Sequence, residues 1–357
     1  MVHDGLLFGK IELSPGGVDF SLSQLTCLRS RLTKWQSLTK LANMAGQFAH
    51  ILLVNSVCTP EGLDSIPDLM PSVRSALENY QPFCRLGAVS PDCPSVVGAT
   101  DATGWSDVMH YVRPADFVRL YGIPTLLQMP FNTAAARACI AWLFGYTAHL
   151  VADCAIHPVV EALVGPYSNK KNRPAHRRCE LDQDAYILSK LTDREVLDID
   201  FLDFTGLAEC RARRNTKKLN LAVADLWTTC LAGYPRQETR DYVRLPSRSL
   251  TPSIWFATYA NVMDHFATKS SAFVQWLGCN YRKSEMVERR YVENLPVPGS
   301  LKRLRYEDLF DQTRQRLIEA WAGLARALKT ENTNQFALRN GNLDTGKDEA
   351  GQYVCWS

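Results

Sequence analysis

Five side chains that can bind metal ions follow one another at helical spacing in the middle of the chain. They are His149, Asp153, His157, His176 and Glu180. Steps of four residues on an α-helix keep side chains on one face and rise about 6 Å each. His149 and Asp153 can therefore share one ion, whereas His149 and His157, about 12 Å apart along the axis, would serve different ions. Imidazole and carboxylate without thiolate favour zinc and leave room for water, which predicts a multinuclear zinc site that activates water for hydrolysis.

Two histidines and one aspartate upstream are candidates for the same site. His50 follows Gly46-Gln-Phe-Ala, His110 follows Trp105-Ser-Asp-Val-Met, and Asp92 follows a proline. Each has a structural alternative, since His50 has the apolar neighbours of a packed core histidine and Asp92 stands where aspartates start turns or cap helices. The five-residue cluster could likewise be a set of exposed polar pairs. Its apolar surroundings argue against this, because unpaired polar groups there would be costly.

The segment that carries His149 is the most apolar part of the chain, from Ala134 to Val160. A transmembrane span is the obvious alternative. The uncharged part, residues 138–152, is shorter than the roughly 20 residues that a bilayer core needs, so we predict a buried central helix. Gly145 would let another backbone approach closely, and Pro158 would end or bend the helix just after the last candidate ligand.

Apolar residues recur at helical spacing along the rest of the chain, which predicts an all-α, multi-helix bundle around the central helix. Helical patterns occur at residues 184–191, 219–232, 254–276 and 306–330, and strand patterns are sparse. From about residue 331 the chain is rich in Gly and Asn. We expect an irregular tail there, packed on the body through Phe336, Tyr353 and Trp356.

Two basic segments could contact other molecules. Leucines and Trp35 recur at helical spacing over residues 25–41 among Lys and Arg, which predicts a basic amphipathic helix. Such a helix can dock on an anionic membrane, pack on the protein's own surface, or contact a partner chain or a second copy. The stretch from 167 to 178, which runs from one metal-binding segment into the other, suits either a grip on phosphate or a solvated loop.

The composition restricts the classes of function. The chain has 357 residues, 46% hydrophobic content and a net charge of +3, so it can bury a core but has no broad electrostatic attraction for nucleic acid. Its 11 cysteines are odd in number and scattered, which indicates reduced thiols. Residues 1–17 lack the apolar core of a secretory signal. We therefore expect a cytoplasmic protein, or one exported without a cleavable signal peptide, and no transmembrane helix.

Taken in order, these elements resemble the zinc-dependent phospholipase C family, which includes the metal domain of glycosylphosphatidylinositol-specific phospholipase D. The matching elements are Phe48-Ala-His50, Leu86-Gly-Ala-Val-Ser-Pro-Asp92, Trp105 through His110, Gly145 through Pro158, and His176 through Glu180. They span roughly residues 44 to 184. Each element alone is weak, but the ordered set is specific.

The resemblance implies a role for each candidate residue. One zinc ion would be held by His110, His149 and Asp153, and a second by His157, His176 and Glu180. His50 would join a third zinc ion that Asp153 bridges. Asp92 would not be a ligand in this scheme and would orient or deprotonate the attacking water.

The chain departs from the family pattern in two places. The best-known secreted members complete the third site with the amino group of a processed N-terminal tryptophan, which this sequence does not show. Met44 lies at a suitable distance before His50 for a start codon, so residues 1–43 are interpreted as an extension or as the result of a mis-assigned start. Relatives that cleave phosphatidylcholine have aromatic residues where this chain has Cys93 and Asp107, so a choline-caging pocket is not predicted.

The resemblance implies a metal-dependent phosphodiesterase of phospholipase C type, acting on phospholipids at a membrane surface. Two alternatives remain open. One is a zinc-dependent single-strand nuclease of the same fold, and the other is a helical binding protein with structural zinc, although closed structural sites usually use cysteines. As domains we predict an N-terminal extension at 1–43, a catalytic domain at 44–330, and a tail at 331–357 that packs on it.

Overall fold

The computed structural model describes residues 46–98, 100–267 and 281–356, and most of these residues are helical. The α-helices are α1 (Gln47–Val57), α2 (Pro60–Asp64), α3 (Pro71–Asn79), α4 (Gln81–Val89), α5 (Thr100–Tyr111), α6 (Pro114–Asp116), α7 (Ile123–Leu127), α8 (Ala134–Val164), α9 (Arg173–Thr192), α10 (Phe201–Thr205), α11 (Leu221–Ala232), α12 (Arg236–Thr239), α13 (Pro246–Ser249), α14 (Pro252–Ala267) and α15 (Tyr306–Thr330). The prediction of an all-α fold is confirmed. The predicted extension at 1–43, with its amphipathic pattern at 25–41, lies outside the described residues.

Other regular structure is short. The 3₁₀ helices are Cys93–Val97, Val196–Asp198, Leu207–Cys210, Ser284–Met286, Arg289–Tyr291 and Thr333–Gln335, and Phe117–Gly122 is π-helical. Within the described ranges, the strands form two antiparallel pairs. These are β1 (Arg211–Ala212) with β2 (Asn215–Leu219), and β3 (Leu295–Pro296) with β4 (Arg303–Leu304).

The predicted central helix is α8. It begins where the Thr133 side chain accepts a hydrogen bond from the backbone N–H of Ala136. Among the described helices, α8 alone is long and apolar enough to cross a membrane, but its most apolar stretch is entirely buried inside the protein. Pro158 was predicted to end or bend this helix, and it does not end it. The helix continues to Val164, and the buried Val159 and Val160 hold its last turns in the core.

α8 crosses α4 with the two backbones in contact. A Cβ atom on Gly145 would lie 1.8 Å from the carbonyl oxygen of Cys84, and one on Gly87 would lie 2.0 Å from that of Trp142. Only glycine allows so close an approach. The expectation for Gly145 therefore holds, and the crossing brings the end of α4 against the face of α8 that carries His149.

α9 carries the second predicted metal-binding segment and also anchors α1. The first backbone N–H groups of α1, those of Phe48 and Ala49, donate to the Asp184 carboxylate at 3.2 and 2.7 Å. A helix start leaves such donors unpaired unless a side chain accepts from them. Asp184 thus caps α1 from a neighbouring helix and places the first turn of α1, with His50, against α9.

Most predicted helix patterns match observed helices. The pattern at 306–330 corresponds to α15, that at 219–232 to α11, and that at 254–276 to α14 as far as residue 267, whereas residues 268–276 lie outside the described ranges. The tail after residue 331 is largely irregular; Phe336 and Trp356 are buried and Tyr353 is half-buried. The nine cysteines of the described ranges are free thiols.

Candidate metal centre

The eight candidate residues converge on one cavity of about 500 Å³. α1 supplies His50, the turn after α4 supplies Asp92, α5 supplies His110, α8 supplies His149, Asp153 and His157, and α9 supplies His176 and Glu180. Seven of them line the cavity, and His149 lies just behind the wall at 1% exposure. Residues as far apart in the chain as His50 and Glu180 therefore line the same cavity.

Four of these residues form the inner group, which consists of His50, His110, His149 and Asp153. The Asp153 carboxylate lies at its centre. Its Oδ2 atom is 3.1 Å from Nε2 of His149 and 3.8 Å from Nε2 of His110, and its Oδ1 atom is 3.3 Å from Nε2 of His50. The Nε2 atoms of His110 and His149 are 3.4 Å apart. One carboxylate thus faces three imidazoles through its two oxygens.

Three residues form the outer group, which consists of His157, His176 and Glu180. The Oε1 atom of Glu180 is 3.1 Å from Nε2 of His157 and 3.3 Å from Nε2 of His176. The two groups are connected, because Nε2 of His157 lies 3.7 Å from Oδ1 of Asp153. Asp153 is therefore placed to bridge ions in adjacent positions.

Backbone carbonyls orient three of the imidazoles. The Nδ1–H groups of His110, His149 and His157 donate to the carbonyl oxygens of Ser106, Ala88 and Leu343 at 2.7, 2.8 and 2.9 Å. This assignment leaves Nε2 of each ring as a lone pair that points into the site. Such second partners are typical of metal-binding histidines, because they set the tautomer and the ring orientation.

This donor set fits zinc. With metal–ligand bonds of about 2.0–2.2 Å, two ligands of one tetrahedral ion lie about 3.3–3.6 Å apart. The 3.4 Å between Nε2 of His110 and His149 falls within that range, and the 3.1 Å and 3.3 Å contacts of Glu180 lie at or close to it. Oδ2 of Asp153 is buried and accepts no hydrogen bond of good geometry, although the Nε2 lone pair of His149 lies 3.1 Å away. Lone pairs that face one another at these distances need a cation between them.

Asp92 is held in place by a chain of hydrogen bonds. Gln47 donates from Nε2 to Oδ2 of Asp92 at 2.9 Å, and the Tyr259 hydroxyl donates to Oε1 of Gln47 at 2.6 Å. The other carboxylate oxygen, Oδ1, lies 3.3 Å from Nε2 of His110. The alternative role as a helix cap does not apply, because the side chain makes no capping hydrogen bond to the helix that follows. Asp92 also comes close enough to His110 and His149 to form a further metal-binding set with them.

The electrostatics of the metal-free site favour ionised carboxylates beside protonated imidazoles. Burial raises the pKa of Asp92, but the hydrogen bond with His110 and the charge of His149 outweigh it and lower the pKa to about 2. Burial lowers the pKa of His110, but Asp92 and Asp153 outweigh it and raise the pKa to about 9. For His157, burial is again outweighed by Asp153 and Glu180, which raise its pKa well above the usual range. A bound zinc ion would therefore displace the Nε2 protons of His110 and His157 and take their place beside the ionised carboxylates.

The wall of the cavity carries both basic and acidic side chains. Tyr167, Arg173 and Arg177 from the basic segment line it, so this segment belongs to the site rather than to a remote loop. The guanidinium of Arg173 lies over the Tyr167 ring at 4.9 Å from its centroid. Asp107 and Asp344 also line the cavity. A ligand in this cavity would meet arginines and carboxylates in the same wall.

Sequence reasoning missed four contributors. Gln47 lies three residues before His50, a spacing that puts both on one helical face, and this signal was readable. Tyr259 and the backbone of Leu343 act through hydrogen bonds to residues more than 180 positions away, and no local pattern indicates them. Asp344 belongs to a tail that was expected only to pack on the body.

Comparison with known proteins identifies the family of the central region. Residues 49–234, slightly more than half of the chain, match the family model described as zinc dependent phospholipase C. All eight candidate residues lie within this match, whereas Gln47, Tyr259 and Asp344 lie outside it. No curated protein and no solved structure shows a significant match to the chain.

Proposed function

Because the chain belongs to the zinc-dependent phospholipase C family, we propose that it hydrolyses phospholipids at the glycerol side of the phosphate. The products would be diacylglycerol and a phosphorylated head group. The observation that carries the proposal is the convergence of two connected groups of imidazoles and carboxylates, with Asp92 beside them, on one cavity.

Each residue has a proposed role. His110, His149 and Asp153 hold one zinc ion, and His157, His176 and Glu180 hold a second; His50 and Asp153 provide for a third. Bound zinc lowers the pKa of water and neutralises charge on a phosphoryl group. Asp92 orients the attacking water and takes its proton, and the hydrogen bonds from Tyr259 through Gln47 keep this carboxylate aimed at the site.

The cavity walls support phosphate binding. Arg173 and Arg177 lie on the wall of the metal cavity, where guanidinium groups can bind phosphate oxygens. The lipid would reach this cavity from a membrane surface. We propose that the chain consists of an N-terminal extension at 1–43, a catalytic domain at 44–330 and a tail at 331–357 that packs on this domain.

A single-strand nuclease is the second candidate. Tyr111 and Tyr167 line the same cavity, and aromatic rings beside a phosphodiester site can stack on bases. A protein with purely structural zinc is less well supported, because none of the proposed ligands is a cysteine and the site opens into a cavity that can hold substrate and water.

The deciding experiment compares two substrates. Purified protein is incubated with mixed phospholipid vesicles and with single-stranded DNA, with and without a chelator, and its zinc content is measured. We expect chelator-sensitive release of diacylglycerol. Chelator-sensitive cleavage of DNA alone would replace the lipid proposal with the nuclease.

The role of Asp92 is tested by Asp92→Asn. Loss of a general base costs about 10²–10⁴-fold in rate, so we expect a loss of that size with zinc retained, because the other seven residues still provide ligands. Asp241→Asn, at an exposed position, is the control. Undiminished hydrolysis by Asp92→Asn would remove the role given to this carboxylate.

A further inference from the structure

The C-terminal segment from Gly341 to Trp356, here called the strap, is seated on α8. The Trp356 ring donates from Nε1 to the carbonyl oxygen of Ala155 at 2.9 Å. Gly346 has a φ of +63°, and a Cβ atom there would lie 2.4 Å from Pro158 and 2.6 Å from the carbonyl oxygen of Cys154. Only glycine fits this position. The strap therefore lies against the part of α8 that carries Asp153 and His157.

The backbone of Leu343 contacts two of the metal-site histidines. Its carbonyl oxygen accepts from Nδ1–H of His157 at 2.9 Å, and its N–H donates to the backbone carbonyl of His110 at 3.1 Å. Leu343 is only 1% exposed. Among the three oriented imidazoles, that of His157 alone takes its carbonyl partner from a segment more than 180 residues away.

A turn closed by Asn342 holds Leu343 in this position. The Asn342 side-chain oxygen accepts from the N–H groups of Asp344 and Thr345 at 3.0 and 3.2 Å, and its backbone carbonyl accepts from Gly346 at 2.8 Å. An asparagine that bonds its own backbone two residues on stabilises this kind of turn. The Asn342 side chain thus adds two hydrogen bonds to the backbone bonds that present the Leu343 carbonyl.

The same turn points a carboxylate into the cavity. The Tyr111 hydroxyl donates to Oδ2 of Asp344 at 2.8 Å, and Asp344 lines the cavity with the outer group. A carboxylate repels the phosphate of a bound lipid. Asp344 therefore suits the part of the substrate beyond the phosphate, where a cationic or hydroxyl-bearing head group can pair with it.

We propose that the strap is a functional component of the site, in which Leu343 positions the metal-binding imidazole of His157 and Asp344 selects head groups that carry a cation or hydrogen-bond donors. The first role concerns metal binding and stands without the lipid substrate. The second rests on the proposed phospholipase function. Both place site residues beyond the part of the chain that the family match covers.

The positioning role is tested by zinc affinity, measured by competition with a chromophoric chelator. Partners of metal ligands typically contribute about 10–100-fold to affinity, so we expect Asn342→Ala to weaken one zinc ion by this factor. Asn342→Asp keeps the accepting oxygen and should restore the affinity. Asn332→Ala is the matched control, because Asn332 closes a similar turn outside the strap by accepting from Asn334.

The melting temperature of each variant shows whether the fold survives. A zinc affinity in Asn342→Ala equal to that of wild type or of Asn332→Ala would overturn the positioning role. A loss in Asn342→Ala that Asn342→Asp fails to restore would also overturn it, since the turn would then not be the cause.

The head-group role is tested with three lipids of different head group. These are phosphatidylcholine, which carries a cation, phosphatidylglycerol, which carries hydroxyls, and phosphatidylmethanol, which carries neither. We expect Asp344→Asn to lower kcat/KM by about 10- to 100-fold on the lipid whose head group the carboxylate contacts, and to leave phosphatidylmethanol nearly unchanged. Asp241→Asn, at an exposed position outside the strap, is the control.

The outcomes separate the two proposals. An equal loss on all three lipids, or no loss on any, would overturn the head-group role while the phospholipase function stands. If the wild-type protein cleaves none of the lipids, the proposed function and the head-group role fall together. The zinc measurement would still decide whether the strap positions His157.

Discussion

The inner and outer groups use the same residue types but are built in different ways. In the inner group His149 and Asp153 are 1% and 2% exposed, whereas in the outer group the side chains of His157 and Glu180 are 16% and 13% exposed. His149 takes its carbonyl partner from α4, which packs on α8 through glycines, whereas His157 takes its partner from the strap.

The two halves of the site therefore differ in the segments that hold them. The inner group is enclosed by helix packing that a single methyl group would disturb. The outer group lies where α9, residues 167–178 and the strap meet, and residues of both groups line the cavity.

The largest expected effect comes from Asp153→Asn, which should break both halves. Asp153 is close to three inner imidazoles and to His157 of the outer group. We expect more than the about 10–100-fold loss of zinc affinity that indirect partners cost, with activity at background. Elemental analysis of the purified variant checks this.

Glu180→Gln is the matched comparison, since Glu180 contacts only the outer histidines. It should lose zinc from the outer group and retain the rest. If the two variants lose the same amount of zinc, Asp153 does not bridge the groups and the distinction between them is wrong.

A smaller effect is expected from Gly145→Ala, which is aimed at the inner group alone. The new Cβ would lie 1.8 Å from a backbone carbonyl of α4, so the two helices must separate. Overpacking of this kind costs about 1–3 kcal/mol of unfolding free energy, and more where backbone must move. Urea denaturation and zinc content of the variant measure the two consequences.

Gly323→Ala is a suitable control for this substitution. Gly323 lies in α15, and its nearest neighbour would be 3.0 Å from the added Cβ, so the neighbouring chain has to shift only slightly. A loss of stability in Gly145→Ala no greater than in Gly323→Ala would show that the α4–α8 crossing is not the rigid frame of the inner group.

A further effect, which depends on pH, concerns Asp184, which ties α9 of the outer group to α1 of the inner group. Burial raises the pKa of Asp184 to about 7, against the opposing effect of the donors from Ala49, Tyr281 and Phe48. The folded carboxyl therefore keeps its proton up to about pH 7, whereas the unfolded one releases it near pH 4. Its contribution to the unfolding free energy is full below about pH 4 and falls as the pH rises through 7.

Asp184→Asn should remove this decrease in unfolding free energy, because an asparagine side chain does not titrate. Urea denaturation of the metal-free protein between pH 4.5 and 7.5 should give a wild-type midpoint that declines relative to that of the variant as the pH rises. Asp198→Asn, an exposed carboxyl, should leave the wild-type profile unchanged. Parallel profiles for wild type and Asp184→Asn would mean that this carboxyl does not titrate in that range.

Features of the fold and the site that depend on residues close together in the sequence could be predicted, whereas contacts between distant segments could not. The pairs His149–Asp153 and His176–Glu180 follow from helical periodicity, and α8 and α9 confirm the helices that carry them. His50, Asp92 and His110 were candidates by residue type alone, and only the ordered family resemblance gave them roles, because no spacing connects them to α8. Of the two predicted effects of Pro158, an end of α8 does not occur, since burial of the following residues outweighs the local tendency of proline to end a helix.

The sequence by itself determined the chemical class of the site, an all-α frame, and the helical faces on which the ligands of α8 and α9 lie, because side-chain type and helical periodicity are local properties. Only the tertiary structure decided that Asp153 faces both groups, that Gln47 and Tyr259 aim Asp92, and that Leu343 and Asp344 of the strap reach the cavity. Those contacts join segments far apart in the chain. They arise from how buried helices and the strap pack together, which residue spacing does not encode.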